Sequence, residues 1–362
     1  MTAPSPGAAS GTAHSALDTV WYTRCPVPTA SGLALHRGTL AEEFASRGLD
    51  FGVLQDGPPE LARHHFDHRL VGLFREGGNV PALAALSEGA PNRLIGLTWI
   101  DEWQSILVRP DSGIRGAGDL KGVRAALPAW ADSRAGSFPR AMALHGFAGA
   151  LATAGLGLAD VRFVEVGAGG QPGAAPERRP ARADGFGAWP GLAELASGEV
   201  DAVYVKGAKS AEDAAALGAV VAVDLDAGAD RRFRVNNGTP RPITVHEQLL
   251  AEHEDLVVAF LARTLRAADW AAGHPDEVRA ILAHETRSGS EGVDRAYRPG
   301  FHLGLHPDLS AERLELLRVQ KDFLLVHGFL AADIDLDAWT ADEPLAKARA
   351  LVAAESAEGA AA

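Results

Sequence analysis

One cysteine, two methionines and three tyrosines stand in a chain of 362 residues. A single thiol closes no internal disulfide and builds no cysteine-based zinc site. Cys25 is therefore either a small buried hydrophobe or a functional group. Positive charge is also scarce: 34 Lys and Arg face 47 Asp and Glu, for a formal net charge of −13. Such a surface repels nucleic acid and anionic lipid, which excludes both as expected partners. An anionic ligand would need a local cationic site working against the global field. No apolar run reaches the length of a membrane helix, so no membrane insertion is expected. The opening MTAPSPGAASGTAHSALDTV lacks the basic and apolar regions of a signal peptide, so cytoplasmic residence is the expectation.

What is present is a hydrophobic content of 47% in a chain long enough for two lobes. Residues 1–16 are Ala/Ser/Gly/Pro-rich and read as disordered. Asp18–Tyr22 reads as a first strand, stopped by Cys25-Pro26-Val27-Pro28. Thr29 or Ser31 can cap a helix running to about Arg47, and Asp50–Leu54 reads as a second strand. Strand, turn, helix and strand in about forty residues make a βαβ unit with a parallel sheet. Cys25 then lies at the carboxyl end of the first strand, the edge where open α/β sheets hold ligands.

The alternation continues. Helices are expected near 80–88, 139–154, 189–197 and 209–217. Strands are expected at Arg93–Trp99, Ser105–Val108, Val123–Leu127, Val161–Val166, Asp201–Val205 and Ala219–Asp224. Residues 167–188 read as a long loop whose Gly-Ala-Gly-Gly lacks the following helix of a dinucleotide site, so no nucleotide cofactor is expected. From about 245 the chain reads as mostly helical. Two α/β halves with a helical end predict the two-lobed fold of type 2 periplasmic solute-binding proteins. The expected division is lobe I at 17–111 and 226–362, and lobe II at 112–225.

Two further segments carry chemistry. His64-His65-Phe66-Asp67-His68 invites a metal reading, but no second ligand cluster supports it, and no metal is expected. A histidine facing the cleft, as hydrogen-bond partner or acid/base, fits better. Arg75-Glu76-Gly77-Gly78-Asn79-Val80-Pro81 sets an arginine fork beside a glycine pair at a helix start. Free backbone N–H groups there would cradle an anion. Arg109, Lys206 and Arg241 lie near element ends and stay open as ligand contacts. Trp99 and Trp103 read as core or as an aromatic wall, and His246 and His253 as surface or packing residues.

The block Tyr22-Thr23-Arg24-Cys25-Pro26-Val27-Pro28 resembles the N-terminal motif of the 2'-hydroxybiphenyl-2-sulfinate desulfinases. His65-Phe66, Arg75 ten residues after His65, the glycine pair and Pro81 resemble that family's second motif at the same spacing. The Ala-Asp-Ile-Asp…Trp339 end is also similar. The resemblance implies a type 2 solute-binding fold working in the cytoplasm, and hydrolysis of the C–S bond of an aromatic or related sulfinate, a small organosulfur anion, to release sulfite. It implies an active site of Cys25, His65, Arg75 and Gly78, with Thr23 and Gly77 joining Arg75 and Gly78 in binding the substrate. Cys25 would be nucleophile, proton donor or pocket wall. The alternative is a non-catalytic solute-binding protein or sensor for a small sulfonate, sulfinate or carboxylate, with transporter partners only in that case.

Overall fold

The computed structural model describes residues 17–167, 189–228 and 230–361. The expected disorder of 1–16 and nearly all of the loop 167–188 lie outside these residues. Ten strands form two five-stranded sheets. They are β1 (Thr19–Arg24), β2 (Asp50–Val53), β3 (Leu73–Glu76), β4 (Asn92–Thr98), β5 (Gln104–Val108), β6 (Arg124–Pro128), β7 (Arg162–Val166), β8 (Ala202–Lys206), β9 (Val220–Asp224) and β10 (Arg241–His246). The first sheet runs β2-β1-β3-β10-β4 and the second β7-β6-β8-β5-β9.

In the first sheet, β1 is parallel to β2 and β3, and β10 is antiparallel to β3 and β4. In the second, β6 is parallel to β7 and β8, and β5 is antiparallel to β8 and β9. Each antiparallel strand is the first one the chain makes after crossing between sheets. One boundary therefore differs from the expectation. Residues 104–108 were placed with the first lobe, yet β5 pairs in the second sheet, so the outward crossing falls between Thr98 and Gln104 rather than near 111. The return runs between Asp224 and Arg241, around the expected 226.

The first helix is also divided. It spans Ala30–His36, and a second helix spans Thr39–Ser46. Between them Gly38 adopts φ 77, a left-handed conformation that glycine takes without penalty. Thr29 is the cap, accepting the Gly32 N–H at 3.0 Å. Leu33, Leu40 and Phe44 pack with Val20, Tyr22 and Phe74 of the sheet and with Phe260 and Leu261 of the helix Glu254–Gly273. The helical C-terminal region thus closes one face of the first sheet. Side chains alternate along β1 and β3. Tyr22, Arg24, Phe74 and Glu76 face the helices. Thr23 and Arg75, paired in register, face the other side.

His145 ties the two halves of the chain together. It sits on the helix Phe138–Ala152, buried, with Nδ1 2.6 Å from Gln320 Oε1 on the helix Ala311–Val326, and its ring stacks on Phe323 at 3.9 Å. Burial holds its pKa down at about 4. The folded value lies below the unfolded value of about 6.5, so the unfolded chain binds more protons in that window. This contribution to stability is complete above pH 6.5 and is lost as pH falls toward 4. Urea unfolding should show a loss of about 1.4 kcal/mol per pH unit from this group below pH 6.5. His145→Gln should flatten the fall, and an equally steep fall in the variant would remove His145 as its source.

Candidate active site

Because β1 and β3 are parallel neighbours, their carboxyl ends lie side by side. Cys25 follows β1 directly, and its N–H bonds the Glu76 carbonyl at 3.2 Å. Gly77 and Gly78 follow β3. The Gly78 N–H then points at Cys25 Sγ, 3.4 Å away. Cys25 itself is only partly buried.

Arg75 is fully buried. Its Nε donates to the His65 carbonyl at 2.8 Å and its Nη2 to the Gly78 carbonyl at 3.1 Å. Nη1 has no partner among the described residues. The guanidinium lies across Gly77, where a Cβ would stand 2.7 Å from its central carbon. Gly77 therefore gives Arg75 room, while its own N–H is spent on the Pro242 carbonyl at 3.3 Å.

The expected cradle of free N–H groups does not exist in that form. The Asn79 N–H bonds the Asn237 carbonyl at 2.6 Å, and the Val80 N–H bonds Asn237 Oδ1 at 2.9 Å. Asn237 thus caps the helix Asn79–Ser87, and of these N–H groups only the one of Gly78 faces the thiol. A Cβ on Gly78 would sit 2.4 Å from the Asn237 amide. Gly78→Ala should therefore displace the cap and lower stability by about 1–3 kcal/mol, read as a drop in Tm. An unchanged Tm would mean that the loop yields freely.

His65 Nδ1 lies 2.9 Å from Thr23 Oγ1, and Gln55 Nε2 donates to the same oxygen at 3.0 Å. Thr23 is fully buried, and its hydroxyl is occupied by His65 and Gln55. Burial, then the charges of Arg75 and Arg241, hold the His65 pKa well below the usual imidazole value. His65 is neutral at pH 7. Burial pulls Arg75 down to about 10, opposed by Cys25 and reinforced by Arg241, so the guanidinium stays charged. Arg24 turns away to Glu285, Nε to Oε2 at 2.9 Å, as strand alternation requires.

The histidine run separates by function. His64 pairs with Asp67 at 2.8 Å. His68 ends the short helix at φ 55 and is buried, with Nδ1 3.3 Å from Thr244 Oγ1. Among the described residues no group of three or more His, Cys, Asp or Glu is placed to hold a metal ion. Phe66 stands edge-on to His65 at 5.0 Å and stacks at 6.5 Å with Phe138, on the helix that follows β6 of the second sheet.

Among the open candidates, Arg109 is spent on the carbonyls of Leu195 and Val200. Trp99 is core, its Nε1 bonding Asp101. His246 caps the helix Glu247–Glu252. Lys206 and Arg241 are buried. Gln55 and Asn237 escape the sequence reading, because they reach the Thr23 hydroxyl and the start of the helix Asn79–Ser87 from distant parts of the chain. The Asn236-Asn237-Gly238 run is a turn signal, but nothing in it marks the helix it caps.

Whole-chain comparison supports the resemblance to the desulfinases. The chain is 30% identical over 356 aligned positions to the 2'-hydroxybiphenyl-2-sulfinate desulfinase of Rhodococcus erythropolis, covering 90% of this chain and 92% of that protein. The chain belongs to the 2'-hydroxybiphenyl-2-sulfinate desulfinase family. The Rhodococcus qingshengii desulfinase matches to the same extent. Among solved structures, a cysteine-to-serine variant of the desulfinase DszB in complex with biphenyl-2-sulfinic acid superposes with a TM-score of 0.70 at 26% identity, over 92% of this chain and 99% of that one. The aliphatic sulphonate-binding protein SsuA of Escherichia coli superposes with a TM-score of 0.63 at 15% identity, over 90% and 92% of the two chains. That likeness shows the shared type 2 solute-binding fold alone. No protein-family model matches the chain. No helix among the described residues is long and apolar enough to cross a membrane.

Proposed function

We propose that this desulfinase-family chain cleaves the C–S bond of an aromatic or related sulfinate, using Cys25, His65, Arg75 and Gly78, and releases sulfite. The observation that carries this is the Gly78 N–H directed at Cys25 Sγ, on the loop whose preceding residue packs against the guanidinium of Arg75, whose Nη1 has no partner among the described residues. Arg75 Nη1 holds the sulfinate, with the Gly78 N–H beside it. Cys25 gives its proton to the ring carbon as the C–S bond breaks. The electron pair of that bond forms the new C–H bond, sulfur leaves as sulfur dioxide, and the Gly78 N–H supports the thiolate that results. Water adds to the sulfur dioxide to give bisulfite, and the proton released restores the thiol. Neutral His65, oriented by Thr23 and Gln55, serves as a hydrogen-bond partner to the substrate.

A thiol that must stay reduced suits a reducing compartment, which supports the cytoplasm. The SsuA-like fold favours one second reading, a receptor that binds a small organosulfur anion without turnover. A sulfite-release assay over a panel of aryl sulfinates separates the two. Turnover by the wild type supports the enzyme; tight binding of the whole panel with no sulfite supports the receptor and sinks the enzyme.

A further inference from the structure

We infer that Arg241 and Lys206 build a second anion subsite beside the Cys25 and Arg75 site, where the Gly77 N–H bonds the Pro242 carbonyl, and that the natural ligand is a sulfinate bearing a second anionic group such as a carboxylate. This deepens the proposed function and rests on it. Arg241 opens β10, opposite Thr98 in register, and is 3% exposed; its Nε and Nη1 have no partner among the described residues. Lys206 closes β8 of the second sheet and is 6% exposed. A Cβ built on Gly238 would stand 2.6 Å from Arg241 Nη2 and 3.1 Å from Lys206 Nζ. Two buried cations, one from each sheet, therefore meet beside one glycine that leaves them room.

The hydrogen-bonding capacity of this arrangement is not filled among the described residues. Glu102 lies 3.4 Å from Lys206 and offsets it, while also accepting the Tyr297 hydroxyl at 2.8 Å. Glu76 accepts the Ser31 and Thr98 hydroxyls on its two oxygens; burial raises its pKa, and these hydrogen bonds and the Arg241 charge oppose the rise. His65 and His68 are neutral, since burial depresses both. Arg75 Nη1 and Arg241 Nε and Nη1 are left as buried donors without a partner among the described residues. An aryl sulfinate is one anion, and its two oxygens are matched by Arg75 Nη1 and the Gly78 N–H. The donors of Arg241 stay unspent, and a buried unpaired donor or charge is costly. A second anionic group on the same ligand would satisfy them and bridge the two lobes.

Sulfonates, which lack the reactive sulfinate, test this by binding alone. Calorimetry on the full chain compares benzenesulfonate with the 2-, 3- and 4-sulfobenzoates at fixed ionic strength. At least one sulfobenzoate should bind ten or more times as tightly as benzenesulfonate, by the worth of one charge-assisted contact. In Arg241→Met that ratio should fall toward one, and Arg241→Lys should keep part of it. Equal wild-type affinity for all four compounds overturns the inference without any variant, as does an Arg241→Met protein that weakens every probe by the same factor. Failure of the desulfinase reading looks different, namely preserved dianion preference with no sulfite from any sulfinate.

Discussion

Cys25→Ser should cut sulfite release by about 10²–10⁴-fold, the range for losing a positioned proton donor, while ligand affinity stays within a few-fold. The serine hydroxyl is close in size and can still accept the Gly78 N–H that now reaches Sγ at 3.4 Å. Its proton is far less acidic than that of a thiol, so the step that protonates the ring carbon loses its driving force. Cys25 is only partly buried, so the exchange leaves no large cavity. The pair of measurements decides: calorimetry for binding and sulfite detection for turnover. Near-wild-type turnover in the variant would reduce Cys25 to a pocket wall.

Arg75→Met should have the broadest effect. The guanidinium serves two backbone carbonyls, of His65 and Gly78, and keeps Nη1 for the ligand. Methionine fills the space and strands both carbonyls, at about 1–3 kcal/mol each. Urea unfolding should report that loss, and calorimetry a fall of about 10- to 100-fold in affinity for an aryl sulfinate. Arg75→Lys keeps the charge but cannot reproduce the planar fork, so it should restore part of the binding and little of the stability. Unchanged affinity in Arg75→Met would remove Arg75 from the site. The Gly78→Ala and His145→Gln experiments test the scaffold around it, and each can fail without touching these two.

The location of the site was legible because its cause is local. A parallel βαβ unit puts the end of its first strand at the ligand-bearing edge, and Cys25 follows that strand by one residue. Strand alternation also excluded Arg24, which points to Glu285. The crossing between sheets was not legible. β4 and β5 are separated by five residues, a spacing equally compatible with a hairpin, and only the pairing of β5 with β8 and β9 shows which sheet owns it. The glycine pair was read as a cradle of free N–H groups. Asn237, over 150 residues away, and Pro242 take most of them, and no local pattern announces partners so distant.

The sequence by itself determined that this is an α/β chain with one thiol at a sheet edge and an arginine beside a glycine pair. These follow from periodicity, turn chemistry and residue type, all of which act over a few residues. Tertiary structure alone decided what surrounds them. It buried Arg75 across Gly77, turned the Gly78 N–H onto Cys25, held His65 neutral, and brought Arg241 and Lys206 together from two sheets. Each depends on contacts between segments far apart in the chain, where burial and long-range charge, rather than local pattern, set the outcome.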